Sequence, residues 1–319
     1  MKKTIAFLFL IILVNFAVFA QQDPQYTNNM YYKLGVNPGY AGAENAISGL
    51  LLNRYQWVGY GGGEPKTLVF SVDAAITAFG SPGGIGINIV SDQWGFYDNK
   101  WINLNYSYKV TTSLGTLGLG ISPGFYNFNI NPDKGWVSSD DVLGGSEGGA
   151  GDNLIPQQQS SQLAFDIGFG AYLYSNKYYL GLSVNHLNQG AVKYDDLASD
   201  YLVRHYYLMG GYNIKLNDPL FELRPSFLFK SDIASWQLDL NTNIVYDNKF
   251  WGGLSYRVQD AIALLFGVEL FNGLRLGYSF DLVTSALKRN SFSSHEFFIS
   301  YSIDLERNRN QKYKSIRFL

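Results

Sequence analysis

Hydrophobic and polar positions alternate through most of this chain. Residues 163–187, LAFDIGFGAYLYSNKYYLGLSVNHL, show the pattern most cleanly. Leu163, Phe165, Ile167, Phe169, Ala171 and Leu173 fall on one face, with Asp166, Gly168, Gly170 and Tyr172 on the other. After Ser175-Asn176-Lys177, Leu180, Leu182 and Val184 alternate with Tyr179, Gly181, Ser183 and Asn185. A period of two is the signature of a strand, and so short a polar break makes a hairpin. Elsewhere Leu238, Leu240 and Ile244 alternate with Gln237, Asp239, Asn241 and Asn243. Glu222, Arg224 and Lys230 stand opposite Phe221, Leu223, Phe227 and Phe229, and Arg275 and Asp281 opposite Leu274, Leu276, Tyr278 and Phe280. A soluble antiparallel sheet with one watery face also alternates. Such a sheet needs a covering layer, and the chain offers no amphipathic helices to supply one.

The pattern predicts about fourteen strands, near 46–57, 66–75, 84–92, 100–110, 114–125, 162–174, 178–187, 204–216, 220–230, 236–246, 250–257, 261–270, 274–281 and 294–304. Most approach the ~9–11 residues that a tilted strand needs to cross a bilayer. Connection lengths sort by parity. Even-numbered ones are mostly tight, as at 111–113, 175–177, 217–219, 247–249 and 271–273. Every long one is odd-numbered: 58–65, 93–99, 126–161, 188–203 and 282–293, with two short exceptions near 231–235 and 258–260. Outer-membrane barrels alternate short periplasmic turns with long external loops in this way. The expected fold is therefore all-β: a transmembrane antiparallel β-barrel of about 14 strands over 46–304, its apolar face on lipid. Residues 21–45 form an N-terminal periplasmic segment and 305–319 a periplasmic tail.

The chain start agrees with export. Met1-Lys2-Lys3, the apolar run Ile5–Val14 and the small residue ending Ala17-Val18-Phe19-Ala20 read as a signal peptide over 1–20. No later stretch approaches ~18 uninterrupted apolar residues, which excludes a helical membrane protein. Cysteine is absent, so disulfides, thiolate chemistry and lipoprotein acylation are all ruled out. Removing Lys2 and Lys3 leaves 22 basic against 26 acidic residues, a formal charge of −4. That balance offers no surface for nucleic acid. Twenty-four Tyr, 22 Phe and 34 Gly beside only 16% charged residues fit a barrel wall better than a soluble domain. Tyr174, Tyr178, Tyr246, Phe250, Trp251 and Phe271 crowd the short turns, where an interfacial aromatic girdle belongs.

Several stretches, in order, resemble one family. DPQYTNNMYYKLGVNPGYAG (23–42), Arg54-Tyr55-Gln56-Trp57, Pro65-Lys66-Thr67, Gly83-Gly84-Ile85-Gly86 running on to Asp92 and Gly95, LRLGYSFD (274–281), SSHE (293–296) and IRFL (316–319) are similar to the PorP/SprF outer-membrane proteins. These are accessory proteins of the type IX secretion and gliding system of Bacteroidetes. Gly39 stands where that family often has Ala, and a tail beyond Ile303 is unusual for an outer-membrane barrel. The resemblance implies a non-enzymatic barrel, without cofactors, that docks or retains a secreted adhesin by the cargo's C-terminal domain. It also implies contact with secretion components. Asn37, Pro38, Gly39, Tyr40, Gly42, Arg54, Gln56, Trp57, His295 and Glu296 are its motif residues here.

Candidate chemistry is sparse. The histidines are His186, His205 and His295. His295-Glu296 runs into Phe-Phe-Ile, so the second His of a zinc-protease motif is missing. A zinc site would need distant histidines and carboxylates to converge, and none is assigned. Glu296 is expected to open the last strand facing the lumen. Asp133, Asp140, Asp141, Glu147 and Asp152 in loop 126–161 are hard oxygen ligands of the type calcium takes, but without EF-hand spacing, and such loops are ordinarily just solvated. The same holds for Asp195, Asp196 and Asp200. GTLGLG (115–120) and GGSEGG (144–149) lack phosphate-loop order; strand glycine more often relieves crowding. Asn37-Pro38-Gly39 is turn chemistry, and fourteen strands make a ring wider than side chains alone can fill. Residues 21–45 are therefore expected to tuck into or across the periplasmic end, with Tyr31, Tyr32 and Tyr40 inside. Partner contacts are expected in loops 126–161 and 188–203, since loops on rigid scaffolds carry binding. A transporter of small hydrophobic molecules, as some fourteen-strand barrels with an N-terminal plug are, and a general diffusion pore are the rival readings.

Overall fold

The computed structural model describes residues 23–59, 63–78, 80–131, 159–193, 199–270, 273–285, 288 and 293–304. Among the described residues no helix is long and apolar enough to cross a membrane. After a 3-10 turn (Pro38–Tyr40) their regular structure is almost entirely β. The first five wall strands are β1 (Ala46–Val58), β2 (Lys66–Ala78), β3 (Ser81–Trp94), β4 (Tyr97–Thr112) and β5 (Gly115–Ile130). β6 (Ser160–Tyr174) and β7 (Tyr178–Asn185) follow, then a small separate hairpin of β8 (Ala191–Lys193) and β9 (Ser199–Tyr201) at the long-connection end. The wall resumes with β10 (His205–Tyr212), its short continuation β11 (Ile214–Lys215), β12 (Phe221–Ser231) and β13 (Trp236–Tyr246). It ends with β14 (Phe250–Arg257), β15 (Ala261–Glu269), β16 (Leu274–Val283) and β17 (Ser293–Asp304).

Sequential strands pair antiparallel, and two further pairings close the ring. β1 lies against β17, with Ala46 opposite Asp304. β10 pairs with β7 across the intervening hairpin, with His205 opposite Asn185, and with β12 on its other side, with Tyr206 opposite Ser231. The result is a closed antiparallel barrel of fourteen strands. Closure leaves no unpaired edge, which a wall in hydrocarbon requires, because nothing there can satisfy bare amides.

The hairpin at 163–187 lies as its periodicity predicts. Leu163, Phe165, Phe169, Leu180 and Leu182 are exposed on the outer surface, while Asp166 and Tyr172 are buried inside. Likewise Gln237, Asp239, Asn241 and Asn243 of β13 point into the lumen, and Leu240 and Ile244 point out. The outer surface is a continuous apolar band that includes Leu51, Phe70, Ile89, Leu104, Leu254, Leu264, Phe266 and Ile299. In water such a band would be an aggregation surface; in a bilayer it is solvated.

Two sequence expectations shift. Residues 93–99 are not a long loop: β3 and β4 run on to Trp94 and Tyr97, joined by Gly95-Phe96. Gly95 takes φ +54, which glycine adopts without penalty, and Trp94 stacks on Tyr97 at 4.3 Å. Trp251 is no girdle residue. It is buried in the lumen, beside Gly267, where even a Cβ would come within 2.3 Å of the indole. Tyr246 and Phe250 do stand exposed at the tight-turn rim; Phe271 lies outside the described residues.

Candidate functional site

The interior is filled by the N-terminal segment. Residues 23–45 run along the lumen from the end with the long connections to the end with the tight turns, where β1 begins. They do not simply lie across the tight-turn end. Tyr32, Leu34, Val36, Tyr40 and Ala41 are buried, as are the polar residues Thr27, Asn28, Asn29 and Asn37. Segment and wall meet in three zones.

The first is a buried ion network toward the long-connection end. Arg54 of β1 reaches Asp281 of β16 at 2.9 Å and Glu296 of β17 at 3.2 Å. Arg257 of β14 contacts Asp239 at 3.2 Å and both Asp260 and Asp281 at 3.4 Å. Into this mesh the segment inserts the turn at Thr27-Asn28. Glu296 accepts the backbone N–H of Thr27 at 3.0 Å and of Asn28 at 2.7 Å, and the Asn28 amide at 2.8 Å. Thr27 donates its hydroxyl to Asp281 at 2.6 Å and accepts from Arg54 at 2.9 Å. Asn29 lies 3.3 Å from Asp239 and from Asn241. Charged side chains that are this buried persist only when paired and hydrogen-bonded; here the segment supplies part of the pairing.

The middle zone is aromatic. Tyr31 lies between Trp251 and Phe298, at 5.0 and 4.7 Å between ring centres. Tyr32 packs edge-on against Tyr26 at 4.8 Å and donates to Asn88 at 2.7 Å.

At the third zone backbone meets backbone. Asn37 caps the 3-10 turn by accepting from Gly39 N at 2.9 Å. Its amide donates to the carbonyls of Ala171 and Leu182 at 3.0 Å each. Wall glycines make the close approach feasible: a Cβ on Gly118 would lie 2.2 Å from the Gly39 carbonyl oxygen, and one on Gly84 1.9 Å from that of Ala41. Gly120 and Gly170 are equally tight against Pro38 and Asn37. Gly42, at φ +68, donates to Asp73 at 2.7 Å and accepts from Lys109.

Beyond this zone a vestibule of about 390 Å³ opens toward the tight turns, lined by Lys33, Glu44, Tyr179, Arg224 and Arg275 among others. Lys33 lies over the Tyr179 ring at 4.1 Å. Burial pulls its ammonium down to about 8, against the pull of nearby Glu44 and with the push of Arg275 and Arg224.

The remaining motif residues divide by strand parity. Gln56 accepts from Arg54 Nε at 3.4 Å. Trp57, at φ +55, marks the bulge between β1 and β17 and donates its backbone N–H to Ser294 Oγ at 3.0 Å. His295 and Glu296 point to opposite faces. His295 lies outside against Tyr278, at 2.7 Å, while Glu296 is wholly buried in the lumen. Ser293 Oγ also lies 3.3 Å from His295 Nε2. The acidic positions 133, 140, 141, 147, 152, 195 and 196 fall outside the described residues, as do both GGSEGG and the tail 305–319.

Sequence reasoning passed over one group. His186, just past β7, lies 2.9 Å from Asp23 Oδ1 and 3.0 Å from Asp166 Oδ2. His205 opens β10 with Nδ1 3.8 Å from Asp23 Oδ2, and Tyr207 donates to the same carboxylate. Burial pushes the Asp23 carboxyl up, but the His205 and His186 imidazoles outweigh it and hold it well below the usual range. The signal was faint: two histidines 19 positions apart, each at the edge of a hairpin.

The barrel is similar to outer-membrane structures, none closely. The Acinetobacter baumannii outer membrane protein Omp33 aligns at 5% identity, over 81% of this chain and 98% of that one, with TM-score 0.46. The Ralstonia pickettii toluene transporter TbuX aligns at 12% identity over 85% and 92%, with TM-score 0.46. A Pseudomonas aeruginosa FadL homologue gives 11% over 81% and 89%, with TM-score 0.41. No curated protein matches in sequence. The model of one family does, from residue 18 to residue 301, and by that match this plugged barrel belongs to the type IX secretion system membrane proteins of the PorP/SprF family.

Proposed function

We propose that this chain is a docking barrel of the type IX secretion or gliding apparatus in the outer membrane. It would receive or retain a secreted surface protein by that cargo's C-terminal domain. The observation that carries this reading, beyond family membership, is the filled lumen: residues 23–45 occupy it and share its buried charges. A diffusion pore needs an open lumen. A transporter of hydrophobic molecules needs an apolar lumen pocket, and here the apolar inward residues are interspersed with buried Asn, Asp, Ser, Arg and Glu.

With tight turns in the periplasm, β8, β9 and the upper parts of β5 and β6 face outward. Leu202, which follows β9, packs into Tyr126, Phe128, Ile130 and Ala164, and Arg204 donates to the Leu187 carbonyl at 2.7 Å. Loop 188–203 thus has an anchored base from which to present its tip. The test is affinity capture of the untagged cargo's C-terminal domain by detergent-solubilised barrel, followed by mass spectrometry of membranes. Recovery of a secreted surface protein or of secretion components supports the reading. Recovery of neither, together with uptake of a small hydrophobic solute by cells, replaces it with the transporter.

A further inference from the structure

We infer that Asp23, His186 and His205 form a binding site for one zinc-class divalent cation, which fastens the leading end of the plug to the barrel wall. Each residue offers a donor atom, all within 4.8 Å of one another. Two imidazoles and a carboxylate suit zinc and its borderline neighbours, whereas calcium and magnesium take oxygen.

The surroundings favour metal ligation over a bare ion pair. In metal sites a ligating His commonly gives its other ring nitrogen to a carboxylate or a backbone carbonyl, which fixes the tautomer. His205 is so arranged, and His186 keeps a carboxylate beside its other nitrogen. His186 Nδ1 lies 3.0 Å from Asp166 Oδ2, leaving Nε2 toward Asp23. His205 Nδ1, the nitrogen nearer Asp23, also lies 2.8 Å from the Val203 carbonyl oxygen; that bond takes the Nδ1 proton and leaves Nε2 as the ring nitrogen open to a metal. This Nε2 is buried and has no hydrogen-bond partner, in a side chain of 0% exposure. The contact between Asp23 and His186 leaves this nitrogen without a partner, which a cation would supply.

Dimensions are compatible. A tetrahedral ion with bonds of ~2.0–2.1 Å holds its donors roughly 3.3 Å apart. His186 and Asp23, at 2.9 Å, would part by a few tenths of an ångström, and His205 would close in. A cavity of about 60 Å³ lined by Asp23, His186 and Tyr207 leaves room for a water, which needs roughly 10–15 Å³, as a further ligand. Lys230 approaches from β12 but spends its ammonium on the Asp23 carbonyl oxygen, at 3.3 Å. Asp166 offsets it.

The experiment uses full-length barrel without a histidine tag, solubilised in detergent, stripped with EDTA and offered zinc. Metal is then counted after desalting, and protease attack within 23–42 is timed with and without it. One zinc per chain, slower cleavage, loss of retention in His186→Ala and His205→Ala, and normal retention in His295→Ala support the site. Asp166→Asn, which leaves all three ligands in place, is expected to weaken retention 10–100-fold; it also serves if the alanine variants do not fold. Cobalt in place of zinc should give the visible absorption of a four-coordinate ion. No retained zinc, or retention unchanged when both His186 and His205 are replaced, overturns the inference.

Discussion

At the scale of residues, the lumen is held by a few side chains that serve wall and plug together. Arg54 is the clearest, since Asp281, Glu296 and Thr27 all depend on it. Removing one partner of a buried pair strands the other's charge and costs about 3–5 kcal/mol. Arg54→Ala is therefore expected to lower the temperature at which the barrel loses its folded mobility on SDS gels, and Arg54→Lys to do so less. Lys33 makes a pH prediction. Its seated ammonium is pulled down to about 8, against about 10.4 when free. Below pH 8 both forms are charged and the full burial penalty applies. Between roughly 8 and 10.4 the seated residue is neutral while the free one is charged, so seating strengthens as pH rises. Because His186, held up to about 10 by Asp23, opposes this trend, the test is the difference between chains: from pH 7.5 to 9.5 protease cleavage within 25–42 should slow more, or quicken less, in the wild-type chain than in Lys33→Met. That Glu296 would face inward was legible from the alternation of its strand. That it would accept two amides of Thr27 and Asn28, more than 260 positions earlier, was not, because no local pattern records a partner so distant.

At the scale of elements, the strands were legible almost everywhere, because one side must satisfy hydrocarbon and the other a polar lumen. A slip of one residue would exchange the faces. The test is a charge on the oily side: Leu182→Arg or Leu240→Arg should cost about 2–4 kcal/mol near mid-bilayer, whereas arginine at inward Ser183, which donates to Val36 O at 2.6 Å, should dislodge the plug and spare the wall. The turn at Gly95 reads as a longer loop from sequence because Gln93, Asp98 and Asn99 are polar; those residues crown strands that rise past the others. That the plug tucks inside with its tyrosines was readable from its turn chemistry and the width of the ring; its route along the lumen was not. The plug has no period, and what guides it is wall glycine: Gly84, Gly118, Gly120 and Gly170. Gly118→Val should leave the hairpin pairing intact and expose residues 36–42 to protease.

At the scale of the whole molecule, a ring this wide would conduct ions if it were empty. In planar bilayers the complete chain is expected to be silent, and a chain lacking residues 23–43 to pass steady current or to fail to assemble; steady current through the intact barrel would contradict the docking reading. The course of the plug also sets an order of assembly. Asp23 rests among side chains near one mouth, while Ala46 enters the wall at the other. A strap of some twenty residues cannot easily be drawn through a ring already sealed and lined with its own buried charges. The final seam between β1 and β17 should then zip shut around a leader already laid in place. Late insertion of that leader would be the slow step in any refolding attempt.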